Sequence, residues 1–139
     1  DMARREIPIE FIGGFAEEQL NQLIQATVLE TDKQLKKGSP VDTGRFRASW
    51  HIGENTSTGE PHPPVEKGTT IPSPPPQYTN YSGGSEKLGR SYHIHNNLPY
   101  AERLANGWSV QADAGWVELI AKNMQEYVRR TYNQIKRDS

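Results

Sequence analysis

The sequence predicts an α+β fold of two long helices, short strands between them and a long Pro/Gly-rich loop. Residues 15–37 and 114–135 repeat apolar side chains every three or four positions, as amphipathic helices do. Residues 46–53 and 90–96 alternate with the period of two expected of strands. Between these strands, residues 54–89 hold seven of the ten prolines and read as a long loop, either disordered or a projecting arm ordered by a partner.

A length of 139 residues fits one domain with a modest core. The composition is lean for a self-sufficient globule, at 33% apolar residues with mean hydropathy −0.84. A net charge of −1 offers no global attraction to nucleic acid or an anionic membrane. With no cysteine, a disulfide framework and cysteine-based zinc sites are excluded. No apolar run approaches the ~20 residues of a membrane span. Arg4, Arg5 and Glu6 lead into no apolar core, which argues against a signal peptide and for a soluble chain made in the cytoplasm.

Residues 1–14 read as an extended arm or edge strand. Ile7, Ile9 and Phe11 alternate with Glu6, Pro8 and Glu10 before Gly13-Gly14 breaks the run. Pro8 lacks the N–H that a central strand needs. Such an arm can lie on its own sheet or augment a neighbour's. The first helix follows, with Leu20, Leu23, Ile24, Thr27, Val28, Thr31 and Leu35 on one stripe. Glu17 and Glu18 at its start and Lys33, Lys36 and Lys37 at its end complement the helix dipole, and Gly38 is placed to end it.

Residues 39–50, SPVDTGRFRASW, form a corner. Pro40 fixes φ, Asp42 and Thr43 can bond nearby backbone, and Gly44 supplies a conformation other residues avoid. Phe46, Ala48, Trp50 and Ile52 then alternate loosely, as a short turn of helix or as direct passage into a strand. In the loop at 54–89, Pro74-Pro75-Pro76 favours polyproline II, with Tyr78 and Tyr81 after it. An arm that projects to a neighbouring subunit is preferred there over a PxxP ligand.

The strand at 90–96 sets Tyr92, Ile94 and Asn96 against Ser91, His93 and His95. His93 and His95 are the chain's weak metal candidates, since alternate strand positions share a face. A third ligand from His51, His62 or a carboxylate lies at no recognisable spacing, so a polar strand face is preferred and neither metal nor cofactor is expected. A loop with a short helix from Tyr100 to Ala105 follows, anchored by Tyr100, Leu104 and Trp108 around Asn106-Gly107. Asp113 can cap the last helix, whose stripe is Trp116, Leu119, Ile120, Met124, Tyr127, Val128, Thr131 and Ile135. Lys122, Arg129, Arg130, Lys136 and Arg137 make its later part basic: a DNA contact on one reading, a solvated outer face on the other.

The chain carries no G-x-S-x-G, no G-x-x-x-x-G-K, no dinucleotide fingerprint and no H-E-x-x-H, so an enzyme is not expected. Taken in order, the first helix, SPVDTGRFRASW, a variable strand-and-loop region, YHIHNNLPYAERLANGWSVQADAGW and a last helix resemble the neck or tail-completion proteins of long-tailed bacteriophages, the minor tail protein Z-like family. The resemblance covers most of the chain outside 54–89 and is sharpest at Pro40 to Arg45 and Asn97 to Gly107. It implies two long helices packed on an antiparallel sheet of about four strands. It further implies a structural virion protein, a hexameric ring in the neck that joins the head connector or stopper to the tail tube or tail terminator. DNA would pass through its lumen without sequence-specific binding, and assembly would take place in the host cytoplasm. In this reading Arg45, Phe46 and Arg47 set the corner, while Tyr100, Leu104, Gly107 and Trp108 pin the second loop. The arm and the loop at 54–89 are the expected contacts between subunits or with the connector. The alternatives are a DNA-binding module using the last helix and a histidine-based metal-dependent hydrolase.

Overall fold

A computed structural model describes residues 17–40, 44–66, 68–69, 71, 81, 83–84, 86–87, 89–101 and 115–138. Helix α1 runs Glu17–Gly38, a single turn α2 Arg45–Ala48, strand β1 Trp50–Glu54, strand β2 Tyr92–Asn96 and helix α3 Trp116–Asp138. The chain is α+β: two long helices pack against each other, and α1 lies on a small antiparallel sheet. Among the described residues the sheet has two strands, paired Trp50↔Asn96, His51↔His95, Ile52↔Ile94, Gly53↔His93 and Glu54↔Tyr92. The N-terminal strand candidate lies outside the described residues, as do Asp113 and Ala114.

α1 buries the stripe its sequence predicts, including Thr27 and Thr31. The two threonines fit an apolar face because each hydroxyl donates to the carbonyl four residues back, Thr27 to Leu23 at 2.8 Å and Thr31 to Thr27 at 2.7 Å. Gly38 ends the helix where it meets α3. A Cβ there would stand 3.2 Å from Trp116 Cε3 and 3.3 Å from Ile120 Cδ1, so the small residue sets how closely the helices approach.

The structure sharpens the sequence reading at three places. Of the two alternatives for residues 46–53, the helical turn holds at Arg45–Ala48, and the strand begins only at Trp50. The cause is Gly44, whose φ of 90° turns the chain so that the Ala48 amide bonds the Gly44 carbonyl at 2.8 Å. In α3 the buried residues are Trp116, Val117 and Met124, whereas Leu119 is 58% exposed. Leu119 sits roughly a third of a turn off the stripe that these residues define. Of the segment 54–89, which reads from composition as a projecting arm, the described Ile71 and Glu86 are buried and Tyr81 packs on Ile24, Val28 and Ile52, while residues 72–80 lie outside the described residues.

Because opposed residues share a side, one sheet face carries Trp50 and Ile52 with Asn96 and Ile94, and the other carries His51 and Gly53 with His95 and His93. Both faces of β1 are covered, since Trp50, His51, Ile52 and Gly53 are all buried.

Candidate functional site

The corner after α1 holds the larger of the two buried apolar clusters among the described residues. Leu35, Phe46, Trp50, Leu98, Ala101, Trp116 and Val117 form one buried cluster, with Ile94, Tyr100 and Ile120 packed against it. The Phe46 ring meets Trp50 edge-on at 5.8 Å and Trp116 at 6.3 Å, the favourable arrangement for ring quadrupoles. The end of α1, the turn α2, the segment after β2 and the start of α3 therefore share a single core.

Polar groups at the corner are tied to one another. The Trp50 indole N–H donates to Ser39 Oγ at 2.9 Å, and that hydroxyl donates to the Leu35 carbonyl at 2.6 Å. Asn96, at the end of β2, donates from Nδ2 to the Phe46 carbonyl at 2.8 Å and accepts the Leu98 amide at 3.2 Å. One buried amide thus joins α2 to the start of the second loop. Ser49 Oγ donates to the Arg45 carbonyl at 2.6 Å and accepts the His62 amide at 3.0 Å, while Arg45 Nε donates to the His62 carbonyl at 2.9 Å. The corner therefore holds both backbone groups of His62.

Of the motif residues singled out by sequence, Pro40 is buried and Gly44, Arg45, Phe46 and Tyr100 meet at this core. Ile71 is buried beside the turn, 3.8 Å from where a Cβ on Gly44 would stand. Asp42, Thr43, Leu104, Gly107 and Trp108 lie outside the described residues. Sequence reasoning missed Asn96 and Ser49 as joints, because a single Asn or Ser at a strand end carries no periodic signal. The sharp turn around Gly44 was the one available hint that neighbouring carbonyls would need partners.

His93 and His95, the metal candidates of the sequence, share a sheet face with His51 and Gly53. His95 is buried: its Nε2 accepts the Gly59 amide at 3.0 Å, and its Nδ1 lies 2.9 Å from the His93 carbonyl. Both ring nitrogens are thus engaged, and among the described residues no group of three metal-ligating side chains converges. Residues 56–59 fold over this polar face. A Cβ on Gly53 would stand 2.2 Å from the Thr56 carbonyl oxygen, so only glycine admits that approach.

At the far end of the sheet, Tyr81 donates to the buried Glu86, whose carboxylate also accepts the Gly84 amide at 3.1 Å. Burial first, and Glu86 after it, push the Tyr81 hydroxyl well above its ordinary range. The Tyr92 hydroxyl accepts the Lys87 amide at 2.8 Å and donates to Glu54 at 3.3 Å, and burial leads the upward shift of its pKa as well. On α3, Lys122, Arg129, Arg130, Lys136 and Arg137 are exposed, with Arg129 paired to Glu126.

The corner can hold geometry: it is buried, cross-braced and built around a turn that only glycine adopts easily. Comparison with known proteins yields no match, whether against family models, curated proteins or solved structures.

Proposed function

We propose that the chain is a structural protein of the bacteriophage neck, similar to the minor tail protein Z-like family, that forms a ring between head connector and tail tube through which DNA passes. The observation supporting this is the meeting of the two segments that carry the resemblance. The Phe46 carbonyl, in the first, is bonded by Asn96 at the threshold of the second, and Phe46, Leu98 and Ala101 share one core. A rigid corner of this kind suits a protein whose task is to keep its edges in register with neighbours, because closed rings need one fixed angle repeated at every subunit contact. The proposed partners are further copies of this chain, the connector or stopper, and the tail tube or terminator.

Virions assembled without this chain provide the test. Electron micrographs should show full heads beside unattached tails, and purified chain mixed with its tail-tube or connector partner should form a closed ring. Normally joined particles, or a chain that stays monomeric with and without those partners, would sink the reading. The exposed cations of α3 favour DNA binding as a second reading. It requires salt-dependent retardation of duplex DNA by the purified chain.

A further inference from the structure

The sheet face turned away from α1 holds two buried histidines directly opposite each other, His51 on β1 and His95 on β2, with ring centroids 6.3 Å apart. Residues 56–59 cover that face. The Gly59 amide points at His95 Nε2 across 3.0 Å, so this nitrogen accepts and carries no proton. The ring proton therefore sits on Nδ1 and is donated to the His93 carbonyl 2.9 Å away. Protonating Nε2 would set one N–H against another, leaving both without an acceptor, and would place a cation in a buried site.

We propose that His95 is an acid-released latch that fastens the start of the 54–89 segment to the sheet through the Gly59 amide. The titratable groups around its ring do not stabilise a cation. His51 faces it from β1, and His93 on its own strand opposes a second positive charge. Glu60, next to Gly59, is exposed, and no acidic side chain among the described residues acts on the ring. Burial first holds His95 below its ordinary range, with repulsion from His93 adding to this and the hydrogen bond to the His93 carbonyl opposing it. The sign follows from that direction. A histidine depressed in the folded state contributes its stability above the ordinary value of about 6.5, and that contribution is lost as pH falls through the lower folded value. Release is local, because Asn97 Nδ2 still holds the Ser57 and Gly59 carbonyls at 2.8 and 2.9 Å, bonds with no titrating group. The latch goes beyond the ring reading and does not depend on it.

The test is an NMR titration of the full chain from pH 8 to 4, following the His95 ring and the Gly59 amide. The His95 midpoint should lie below 6.5, the Gly59 resonance should shift with the same midpoint, and its protection from exchange should fall about tenfold across it. His95→Gln, which keeps an acceptor but cannot titrate, should leave Gly59 flat over that range, and His93→Gln should preserve the step. A His95 midpoint at or above 6.5, a Gly59 amide indifferent to it, or a step that persists in His95→Gln would overturn the latch. If His95→Gln fails to fold, coincidence or divergence of the two wild-type midpoints decides.

Discussion

The two ends of the small sheet are closed in different ways. At the corner end, Trp50 joins Leu35, Phe46, Leu98, Ala101, Trp116 and Val117 in a core of rings and aliphatic chains contributed by four separate segments. At the other end, Ile52 with Ile24 and Val28 is covered by Tyr81 and Tyr92, whose hydroxyls donate to the buried Glu86 and the part-exposed Glu54. The first closure depends on apolar area and packing, the second on hydrogen bonds to carboxylates at a partly wet edge. Large, salt-insensitive effects are expected at the corner and smaller, pH-dependent ones at the tyrosines.

Trp50→Ala carries the largest expected loss, about 3–5 kcal/mol in chemical denaturation, because a buried ring 2% exposed leaves a cavity among atoms fixed by four segments. It also strands the Ser39 hydroxyl that the indole N–H serves. Against a typical total of about 5–15 kcal/mol, that can unfold the chain outright. Ile52→Ala, on the same strand and sheet face, should cost less. If it costs more, the corner is not the stronger of the two closures.

This contrast also explains what could be read from the sequence. The corner announces itself locally: Gly44 beside Phe46 and Trp50, just after a helix ended by Gly38, says that apolar side chains must converge across a sharp turn. Both long helices were legible for the same reason, since their periods are properties of consecutive residues. The closure by Tyr81 and Glu86 was not legible, because those residues meet Ile52 and Gly84 only through the path of a Pro-rich loop whose composition reads as an arm. The cover over His95 was not legible on the same ground. Alternation tells which face a side chain takes but not that residues 56–59 will cover it. Leu119 shows the limit inside a helix: several apolar residues near the stripe's edge satisfy the spacing, and packing against the corner core and Gly38 selects Trp116 and Ile120.

Tyr81→Phe tests the second closure. It keeps the ring on Ile24, Val28 and Ile52 but removes the donor to a buried carboxylate, so it should cost about 1–3 kcal/mol at pH 8. Tyr81 is raised in the folded state, so its contribution is fully present below the ordinary value of about 10 and is lost as pH climbs towards the folded value. Urea midpoints of the two proteins should therefore draw together between pH 8 and pH 11. No gap at pH 8 would mean that the hydroxyl contributes nothing specific and that this end too is held by apolar area alone, whereas a gap that is constant or widens up to pH 11 would mean that ionising the hydroxyl does not open the closure.

Arg90→Ala has the smallest expected effect and sharpens where that closure stops. Arg90 Nη1 lies 3.0 Å from Glu54 Oε1, but its side chain is 41% exposed and that of Glu54 24%, so the pair sits in high dielectric and is screened by salt. Glu54 also keeps the Tyr92 hydroxyl when the arginine is gone, so no buried charge is left without a partner. The loss should be below about 1 kcal/mol at low ionic strength and vanish near 1 M salt. A cost of 2 kcal/mol or more that survives high salt would place the ion pair inside the structure that closes this end. The far end would then be a buried polar network equal in rank to the corner, and the division of the sheet into a packed end and a wet end would fail.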